Sequence, residues 1–365
     1  MTLYRKYRPQ NLSELDSSEV RDRLIRTFSS AFTPHALLFC GSRGTGKTSA
    51  ARIVAKILNC EKRIKSQELK SKDKGQLPTN IEPCNTCESC ISITEGRNLD
   101  VLEIDAASNR GIDEIRDLRE KIKLAPVSSR FKVYIIDEVH MLTTEAFNAL
   151  LKTLEEPPAH AVFVLATTEP DKLPATILSR CIIFNFKKAQ VSEIVNCLKR
   201  VVKGEKLDVT DDFLTQIAQS SEGSFRDATK ILEQAILENA LTAEKLSHIL
   251  GRDNMTAGKF LKLLSAKNLK VVLTQINQMV ERGVNIRFFV EDILRLLHQI
   301  LLKQHDVSEE REETELTGVF GTKEVLTLIK LFSKVYTDLK NASMPQIPLE
   351  VAVVEWCEQE LKTTT

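Results

Sequence analysis

Apolar and polar positions alternate in two different ways along the chain. Over residues 34–186, short apolar and β-branched runs alternate with stretches that have helical spacing. This alternation predicts a parallel β-sheet with helices covering both of its faces. The predicted strands are residues 35–40, 101–104, 132–136 and 161–166.

Beyond residue 186 the strand pattern ends, and apolar residues recur at helical spacing. This spacing is typical of amphipathic helices that pack through one face. We therefore predict an α/β domain over residues 1–188, a small helical domain over 189–250 and an all-helical domain over 251–365. The apolar positions that define the helical faces are Phe213, Leu214, Ile217, Ala218, Phe260, Leu261, Leu263, Leu264, Val290, Ile293, Leu294, Leu297, Ile300, Leu349, Val353 and Trp356.

The composition is that of a folded globular protein, with 42% hydrophobic and 28% charged residues among 365, which excludes a mostly disordered or fibrous chain. A formal net charge of +1 gives no overall positive field, so any affinity for DNA must come from local patches. The lysine-rich residues 61–76 and the acidic residues 309–315 predict exposed surface segments.

The N-terminus lacks the apolar core of a signal peptide, and no apolar stretch reaches the roughly 18 residues that span a bilayer. Only three of the eight cysteines are closely spaced, which argues against a disulfide framework. We therefore expect a cytoplasmic protein with no membrane partner.

The segment Gly-Ser-Arg-Gly-Thr-Gly-Lys-Thr fits the phosphate-loop pattern and stands between a predicted strand and a helix-like run. Glycines let successive backbone N–H groups turn towards phosphate oxygens. Lys47 would neutralise the β- and γ-phosphates, and the Thr48 hydroxyl would bind Mg²⁺. The alternative is a glycine turn with a solvated lysine. The predicted nucleotide-binding residues are Gly41, Ser42, Arg43, Gly44, Thr45, Gly46, Lys47, Thr48 and Ser49.

A second motif follows the predicted strand 132–136, which ends in the carboxylates Asp137 and Glu138. The carboxyl edge of such a sheet is where ligands bind. Asp137 could hold Mg²⁺ through its water shell, and Glu138 could orient and deprotonate an attacking water. Taken alone, the pair could instead be a solvated strand end, and His140 is interpreted as a local hydrogen-bonding residue. Together with the phosphate loop, the pair favours nucleotide hydrolysis.

Cys84, Cys87 and Cys90 supply three thiolates at two-residue gaps, and Cys60 stands at the end of the helix predicted after the phosphate loop. Four sulfurs suit a closed tetrahedral zinc site of structural type. An iron–sulfur cluster or a redox dithiol is the competing interpretation. The module would span residues 60–92. The cysteines interpreted as ordinary core residues are Cys40, Cys181, Cys197 and Cys357.

Further motifs of the chain resemble those of a known protein family. They are Asp137-Glu-Val-His-Met-Leu, residues 147–158, Leu165-Ala-Thr-Thr, Ile177-Leu-Ser-Arg-Cys and Tyr4-Arg-Lys-Tyr-Arg-Pro. With the cysteine cluster, these motifs resemble the AAA+ clamp-loader ATPases of bacteria, in particular the gamma/tau family, densely up to residue 228 and more thinly beyond. The resemblance implies an α/β AAA+ P-loop domain with an inserted zinc module, then a helical lid and a helical oligomerisation collar. It also implies the cofactors ATP, Mg²⁺ and Zn²⁺.

The resemblance also implies roles for single residues. Thr168, or less favourably Thr167, would be the sensor that contacts the γ-phosphate or the lytic water. Arg180 would be an arginine finger that completes the site of a neighbouring subunit. Arg226 would reach the nucleotide from the lid as the second sensor. The alternative for Arg180 is a surface salt bridge.

At the N-terminus, the resemblance implies that Tyr7, Arg8 and Pro9 line the adenine pocket. The alternative is an ordered N-terminal arm packed on the sheet. The sequence ends at Thr365 without the long tail of tau forms, which favours a gamma-type form.

The partners implied are clamp-loader subunits of delta and delta-prime type, further gamma/tau copies, the sliding clamp and primer–template DNA. Ser108, Asn109, Lys152 and Thr176 would meet the DNA backbone without reading bases. Each of them could equally be a solvated helix start.

The favoured function is therefore ATP-driven loading of a sliding clamp onto primed DNA, with the active sites between subunits. Two rivals remain at this point. One is a different AAA+ motor, such as a helicase-type translocase, and the other is a nucleotide-binding scaffold that does not hydrolyse.

Overall fold

A computed structural model describes residues 2–30, 33–64, 81–108, 120–242, 245–246, 255–305, 318–340 and 342–358. The chain forms two compact units, Met1–Asn239 and Ala240–Thr365, here called unit 1 and unit 2. The predicted surface segment 309–315, most of segment 61–76 and the predicted DNA contact Asn109 lie outside the described residues. The domain limits at 188 and 250 stay predictions.

Unit 1 is built on a parallel five-stranded sheet. Its strands are β1 (Ala36–Gly41), β2 (Val101–Asp105), β3 (Lys132–Asp137), β4 (Ala161–Thr167) and β5 (Ile182–Phe186), in the spatial order β2-β3-β4-β1-β5. The first four coincide with the predicted runs, and β5 is an addition that the sequence pattern did not single out.

Every residue of the central strand β4 is buried, because helices cover the sheet on both sides. Side chains of β1 alternate between two cores, with Leu37 and Phe39 on one face and Leu38 and Cys40 on the other. The register pairs Cys40 with Thr167, so β1 and β4 end at the same edge of the sheet. β3 lies on the other side of β4 and ends at this edge as well.

Helices surround this sheet and connect its strands. Ten of the thirteen residues of the helix after β1 are buried, which explains its alanine-rich and isoleucine-rich sequence. Within the described residues of unit 1, the helices are α1 (Leu3–Lys6), α2 (Ser18–Ser29), α3 (Lys47–Asn59), α4 (Glu88–Glu95), α5 (Thr144–Glu155), α6 (Ala175–Leu178), α7 (Val191–Glu205), α8 (Asp211–Ser220) and α9 (Phe225–Leu237). Short 3₁₀ turns are Leu12–Glu14, Val139–Met141 and Pro170–Lys172.

The last three of these helices, α7 to α9, form what we call the lid segment. The predicted apolar positions of α8 are all buried in it. Gly223 has a φ of +83°, which ends the preceding turn, and the Ser224 hydroxyl accepts the N–H of Asp227 at the start of α9. The predicted helical lid is therefore confirmed.

Unit 2 is helical throughout its described residues, as predicted. Its core combines T-shaped packing of Phe260 on Phe289 with Trp356, whose indole N–H donates to the Leu264 carbonyl at 3.3 Å. Of the apolar positions predicted in this region, Leu263 and Leu294 are partly buried against the core and the others are buried. The helices are α10 (Ala257–Ser265), α11 (Leu269–Glu281), α12 (Ile286–Gln304), α13 (Thr322–Asp338) and α14 (Gln346–Glu358).

Among the described residues, no helix combines the length and the apolar character that crossing a membrane requires.

Candidate functional site

The phosphate loop connects β1 to α3 and depends on its glycines, as two of them illustrate. Gly46 caps α3 with a φ of +99°, in the left-handed region that glycine occupies without strain. At Gly44 a Cβ atom would lie 2.0 Å from the Ser224 Oγ atom, so a side chain is excluded there by contact. The loop therefore leads directly into the N-terminus of α3, where backbone N–H groups favour an anion.

Lys47 is buried at the first position of α3, and its ammonium group donates to the loop itself. Its Nζ atom lies 2.7 Å from the Gly41 carbonyl oxygen and 2.9 Å from that of Ser42. Burial lowers the pKa of Lys47, while the negative charges of Glu138 and Asp137 work in the opposite direction. The structure thus holds a cation inside the curve of the loop.

Asp137 and Thr48 meet between the ends of β3 and α3. The Thr48 hydroxyl donates to Asp137 Oδ2 at 2.8 Å, and the other carboxylate oxygen accepts the backbone N–H of Glu138 at 3.0 Å. A hydroxyl beside a carboxylate is a set of hard oxygen donors of the kind that Mg²⁺ prefers. The two predicted magnesium ligands are therefore adjacent.

Glu138 lies directly after β3 in a left-handed backbone conformation, with φ 48° and ψ 43°. This conformation is costly for a residue with a side chain and is often kept at functional sites. The Thr168 hydroxyl donates to Glu138 Oε2 at 2.9 Å. The structure therefore brings Thr168 to the carboxylate, whereas the Thr167 hydroxyl contacts His140.

The lid segment touches the phosphate loop. The Phe225 N–H donates to the Gly44 carbonyl at 3.1 Å, and the Arg226 Cβ atom lies next to the same glycine. The Arg226 guanidinium lies over the Tyr4 ring, 4.8 Å from its centroid. Its Nε atom is buried without a hydrogen-bond partner among the described residues. Arg226 is thus beside the loop, as its predicted role requires.

The N-terminal arm contacts the lid segment. Lys6 pairs with Glu205 at 2.7 Å, and the Leu3 N–H donates to Glu233 at 3.4 Å. Tyr7 rests against Gly204 of α7, where an added Cβ would be 2.3 Å from its hydroxyl. The adenine-pocket role of Tyr7 and the alternative of an arm packed on the sheet both stay predictions.

The other two residues predicted to line the adenine pocket, Arg8 and Pro9, are half-buried. Burial, and then the like charge of Arg52, lower the pKa of Arg8.

Arg180 lies just after α6 and forms an ion pair within its own chain. Its Nη2 atom is 2.5 Å from Glu155 Oε1, and Nη1 donates to the Thr176 carbonyl at 2.8 Å. Lys152 and Thr176 are exposed, and the exposed Ser108 hydroxyl donates to Asp105 at 3.0 Å. The predicted finger and these three predicted DNA contacts are therefore accessible at the surface of unit 1.

The four predicted metal ligands come together in one cluster. The sulfur atoms of Cys60, Cys84, Cys87 and Cys90 all lie within 4.8 Å of one another. Four thiolates around a tetrahedral zinc with Zn–S bonds of about 2.3 Å would be separated by about 3.8 Å. The cluster could therefore hold a metal, and its all-sulfur donor set fits zinc.

Backbone N–H groups point at these sulfurs. Burial works to raise the pKa of Cys84, but N–H donation from Thr86 and Cys87 lowers it to about 6. Burial raises the pKa of Cys60 and of Cys90. The cluster therefore already contains one sulfur that favours the thiolate form, which is the form that binds metal.

The cysteine cluster is tied to the N-terminal segment through buried polar contacts. The Lys56 ammonium, on α3, donates to Asn85 Oδ1 at 3.0 Å and to the side-chain oxygen of Gln10. Glu82 accepts the N–H groups of Leu12 and Ser13, each at 2.8 Å. The segment just after Pro9 therefore rests on the loop that carries Cys84 and Cys87.

Models of three protein families match the chain in succession. Residues 17–190 match the family described as DNA polymerase III, delta subunit. Residues 193–239 match the ATPase lid domain of the DNA polymerase III clamp loader subunit. Residues 241–364 match domain III of the DNA polymerase III subunits gamma and tau.

Whole-chain relatives agree with these matches. The chain is 38% identical to the DNA polymerase III subunit gamma of Buchnera aphidicola subsp. Acyrthosiphon pisum, over 83% of this chain and 81% of that protein. The chain belongs to the DNA polymerase III gamma/tau family. It is also 40% identical to the subunit tau of Bacillus subtilis over 98% of its own length, and 40% identical to that of Escherichia coli over 83%.

The chain spans 63% of the Bacillus subtilis tau subunit and 45% of the Escherichia coli one. Among solved structures, the RuvB branch migration motor of Thermotoga maritima is similar, with 19% identity, a TM-score of 0.48 and coverage of 76% of this chain and 86% of that one. Membership of the gamma/tau family confirms the predicted AAA+ fold class and the clamp-loader family.

Three contacts of this gamma/tau member were not predicted from the sequence. They are the Phe225 bond to the phosphate loop, the Tyr4 ring under Arg226, and the contacts of His140. The Asp137-Glu-Val-His order placed His140 near the site, but nothing in the local pattern named its partners. The other two contacts join residues about 180 to 220 positions apart, which no local pattern reports.

Proposed function

We propose that this gamma/tau family member is an ATPase subunit of a bacterial clamp loader. Binding and hydrolysis of ATP would open a sliding clamp and load it onto primed DNA during replication. The observation that carries the proposal is the meeting of Lys47, Thr48, Asp137, Glu138 and Thr168 at one edge of the sheet. These side chains supply the cation, metal ligands, base and sensor that nucleotide hydrolysis needs.

The loop residues 41–49 would bind the triphosphate. Their backbone N–H groups and the α3 N-terminus favour phosphate oxygens, and Lys47 adds the positive charge. Thr48 and Asp137, already 2.8 Å apart, would hold Mg²⁺, which neutralises charge on the phosphates. Tyr7, Arg8 and Pro9 would border the adenine.

Glu138 would take a proton from the attacking water. A general base needs a fixed direction, and the Thr168 hydroxyl holds one carboxylate oxygen at 2.9 Å. A hydroxyl has a single proton to donate, so Thr168 would sense the γ-phosphate by exchanging its bond to Glu138 for one to the nucleotide.

Arg226 would report the nucleotide to the lid segment. It begins at the N-terminus of α9, beside Gly44, and its buried Nε–H can donate to a phosphate oxygen. Movement of Arg226 towards the nucleotide would therefore move α9 with it.

Arg180 would act in the site of a neighbouring subunit. Its present partner, Glu155, is half-exposed, so exchange of that ion pair for a phosphate costs little. This role requires an assembly, which would contain further gamma/tau copies with subunits of delta and delta-prime type. The helices of unit 2 would form the oligomerisation collar.

The cysteine cluster would hold a structural zinc ion. Its four sulfurs lie close enough to share one metal, and no coordination position would remain open for chemistry. The metal would therefore fix the fold of residues 60–92 and take no part in hydrolysis.

Ser108, Asn109, Lys152 and Thr176 would contact the backbone of primer–template DNA as a set. Contacts to phosphates suit a protein that acts at any primed site. These functions place the protein in the cytoplasm, where replication takes place in bacteria, and they involve no membrane.

The deciding experiment measures ATP turnover by the reconstituted complex with the sliding clamp and primed DNA, singly and together. We expect strong stimulation only when both are present. Stimulation by DNA alone would instead indicate a helicase-type motor. ATP binding without turnover under every condition would indicate a scaffold.

Arg180→Ala tests the placement of the site between subunits. We expect assembly and ATP binding to persist, with turnover reduced roughly a thousandfold, as for other arginine fingers. Arg97→Ala, which removes another ion-paired arginine of unit 1, is the matched control and should leave turnover unchanged. An Arg180→Ala complex that hydrolyses ATP at the normal rate would contradict this role.

A further inference from the structure

His140 is a histidine that the proposed chemistry does not yet use. It lies in the 3₁₀ turn Val139–Met141, immediately after the strand that carries Asp137 and Glu138. Its side chain is only 5% exposed. A buried imidazole next to a general base needs partners for both ring nitrogens.

Both ring nitrogens face polar atoms near the end of β4. Nδ1 lies 2.9 Å from the Thr167 Oγ1 atom, and Nε2 lies 3.2 Å from Glu169 Oε1. The same Nδ1 atom is 3.5 Å from Glu138 Oε2. The ring therefore stands between the carboxylate of Glu138 on one side and that of Glu169 on the other.

The chemistry of these partners defines how the ring is held. The hydrogen bond of the ring joins Nδ1 and the Thr167 hydroxyl, whereas Nε2 and the Glu169 carboxylate are held near each other at 3.2 Å, as a pair that is charged only when the ring is protonated. Thr167 Oγ1 also accepts the backbone N–H of Glu169 at 3.0 Å, which fixes the hydroxyl beside Nδ1. The imidazole is thus locked to the segment 167–169.

Glu138 depends on these contacts because its own backbone conformation is unfavourable and has to be held by its surroundings. Its φ of 48° is a strained conformation, which persists only when surrounding groups enforce it. Thr168 holds Oε2 from one direction, and the His140 ring limits the same oxygen from another, at a distance too long for a good hydrogen bond. The ring therefore restricts the position of the Glu138 carboxylate by steric contact and not by a hydrogen bond.

We propose that His140 is a positioning residue for hydrolysis, which fixes the direction of the Glu138 carboxylate by locking the turn 138–141 to the end of β4. The inference rests on the proposed ATPase function and deepens it. His140 touches neither the nucleotide nor the water in this role and acts only through Glu138.

The first test compares His140→Ala with the wild-type chain in the reconstituted complex, with clamp and primed DNA present. We expect kcat to fall about tenfold, a part of the 10²–10⁴ that a positioned base contributes. The KM for ATP and the direct affinity for nucleotide should change less than about twofold, because Lys47 and the loop are intact.

His160→Ala is the matched control. His160 precedes the other end of β4, and its Nε2 atom lies 3.1 Å from the Ile122 carbonyl oxygen. This variant also removes a histidine hydrogen bond from the sheet domain but leaves the surroundings of Glu138 intact, so its kcat should match that of the wild type.

His140→Asn separates positioning from folding, should the alanine variant be unstable. Asparagine can keep a polar atom near Thr167 Oγ1, so we expect it to recover a large part of the lost kcat. His140→Gln, whose amide reaches towards Glu169, should recover less. Equal rates in the asparagine and alanine variants, at equal thermal stability, would overturn the proposal.

A double-mutant cycle tests whether His140 acts through Glu138. In a Glu138→Gln background, the additional His140→Ala change should lower the residual rate by less than about twofold, since the group that it positions is already gone. A full tenfold loss in that background would overturn the proposal. A wild-type complex without turnover would overturn the proposed function as well, whereas an active wild type with an equally active His140→Ala variant would overturn only this inference.

Discussion

The two candidate cofactor sites of unit 1 are built in opposite ways. The phosphate site combines side chains that follow three different strands. Its charged groups already have partners within the protein: Lys47 donates to two backbone carbonyls, and Asp137 accepts from the Thr48 hydroxyl. The cysteine cluster takes three of its four sulfurs from one short segment, and its sulfurs accept only weak bonds from N–H groups.

This difference suits two kinds of ligand, one that exchanges readily and one that stays bound. Where polar groups are already satisfied by the protein, a ligand exchanges one set of hydrogen bonds for another, so binding and release can both be easy. Thiolates brought together have no comparable partner except a metal, and a four-sulfur site closes around it. The phosphate site is therefore suited to repeated binding and release of its ligand, and the cysteine cluster to a metal ion that stays bound.

The largest expected effect is on metal binding by the cysteine cluster and on the stability that the metal provides. Cys87→Ser should abolish stoichiometric zinc and destabilise unit 1, because structural zinc contributes on the order of 10 kcal/mol in small metal-dependent folds. Metal content and thermal melting measure this effect, and the transition of unit 2 should remain. Cys357→Ser, a half-buried cysteine of unit 2, should keep the full metal content. Full zinc in the Cys87→Ser protein would refute the four-sulfur site.

The next effect is on turnover. Glu138→Gln should reduce the kcat for ATP by roughly a hundredfold or more, since the base is lost while its shape remains. Nucleotide affinity, measured by calorimetry, should be retained because Lys47 and Thr48 are untouched. Glu145→Gln, at an exposed position of α5, is the control and should be silent. A Glu138→Gln enzyme of normal rate would show that another group is the base.

A smaller effect is expected where the lid meets the phosphate loop. Gly44→Ala places a Cβ 2.0 Å from Ser224 Oγ and forces alanine to a φ of +79°, so unit 1 should lose about 1–3 kcal/mol of stability. Gly96→Ala has a similar φ of +73° with nothing within 4 Å of its Cβ. The difference between the two melting temperatures isolates the contact with Ser224, and equal losses would mean that the contact is unimportant.

The smallest effect tests whether the two sites are independent. Lys56→Met removes the donor shared by Gln10 and Asn85, so Asn85 Oδ1 loses this partner and Gln10 Oε1 keeps only the Thr94 hydroxyl, at a cost of about 1–3 kcal/mol. We expect faster zinc release to a chelator and roughly twofold weaker ATP binding, through the segment next to Pro9. Lys62→Met, which removes an exposed contact to Thr86, should change neither. Faster zinc release with unaltered ATP affinity would show that the sites are separate.

The sequence was informative where a function depends on neighbours along the chain. The phosphate loop needs a strand, glycines and a helix in immediate succession, so Gly41 to Thr48 could be assigned from their order. The carboxylates after β3 and the spacing of Cys84, Cys87 and Cys90 follow the same logic. The strands β1, β3 and β4 were predicted because buried parallel strands are continuous apolar runs.

Strand β5 was missed although β2, the strand at the opposite edge of the sheet, is equally short and was predicted, so length and edge position do not explain the omission. Contacts between distant segments, such as Tyr4 with Arg226 or Gln10 with Lys56, depend on tertiary packing that no local spacing encodes. The same is true of the left-handed backbone at Glu138, which a glutamate adopts only under tertiary constraint.

The bond from the Phe225 amide to the Gly44 carbonyl has a consequence for mutagenesis. The amide belongs to the first turn of α9, where N–H groups lack acceptors inside the helix, and the acceptor belongs to the loop that we propose binds the phosphates. Since both atoms are main-chain, an alanine scan passes over this link without a signal. Replacing that one amide by an ester would remove the proton and uncouple the helix from the loop, while every side chain stays as it was.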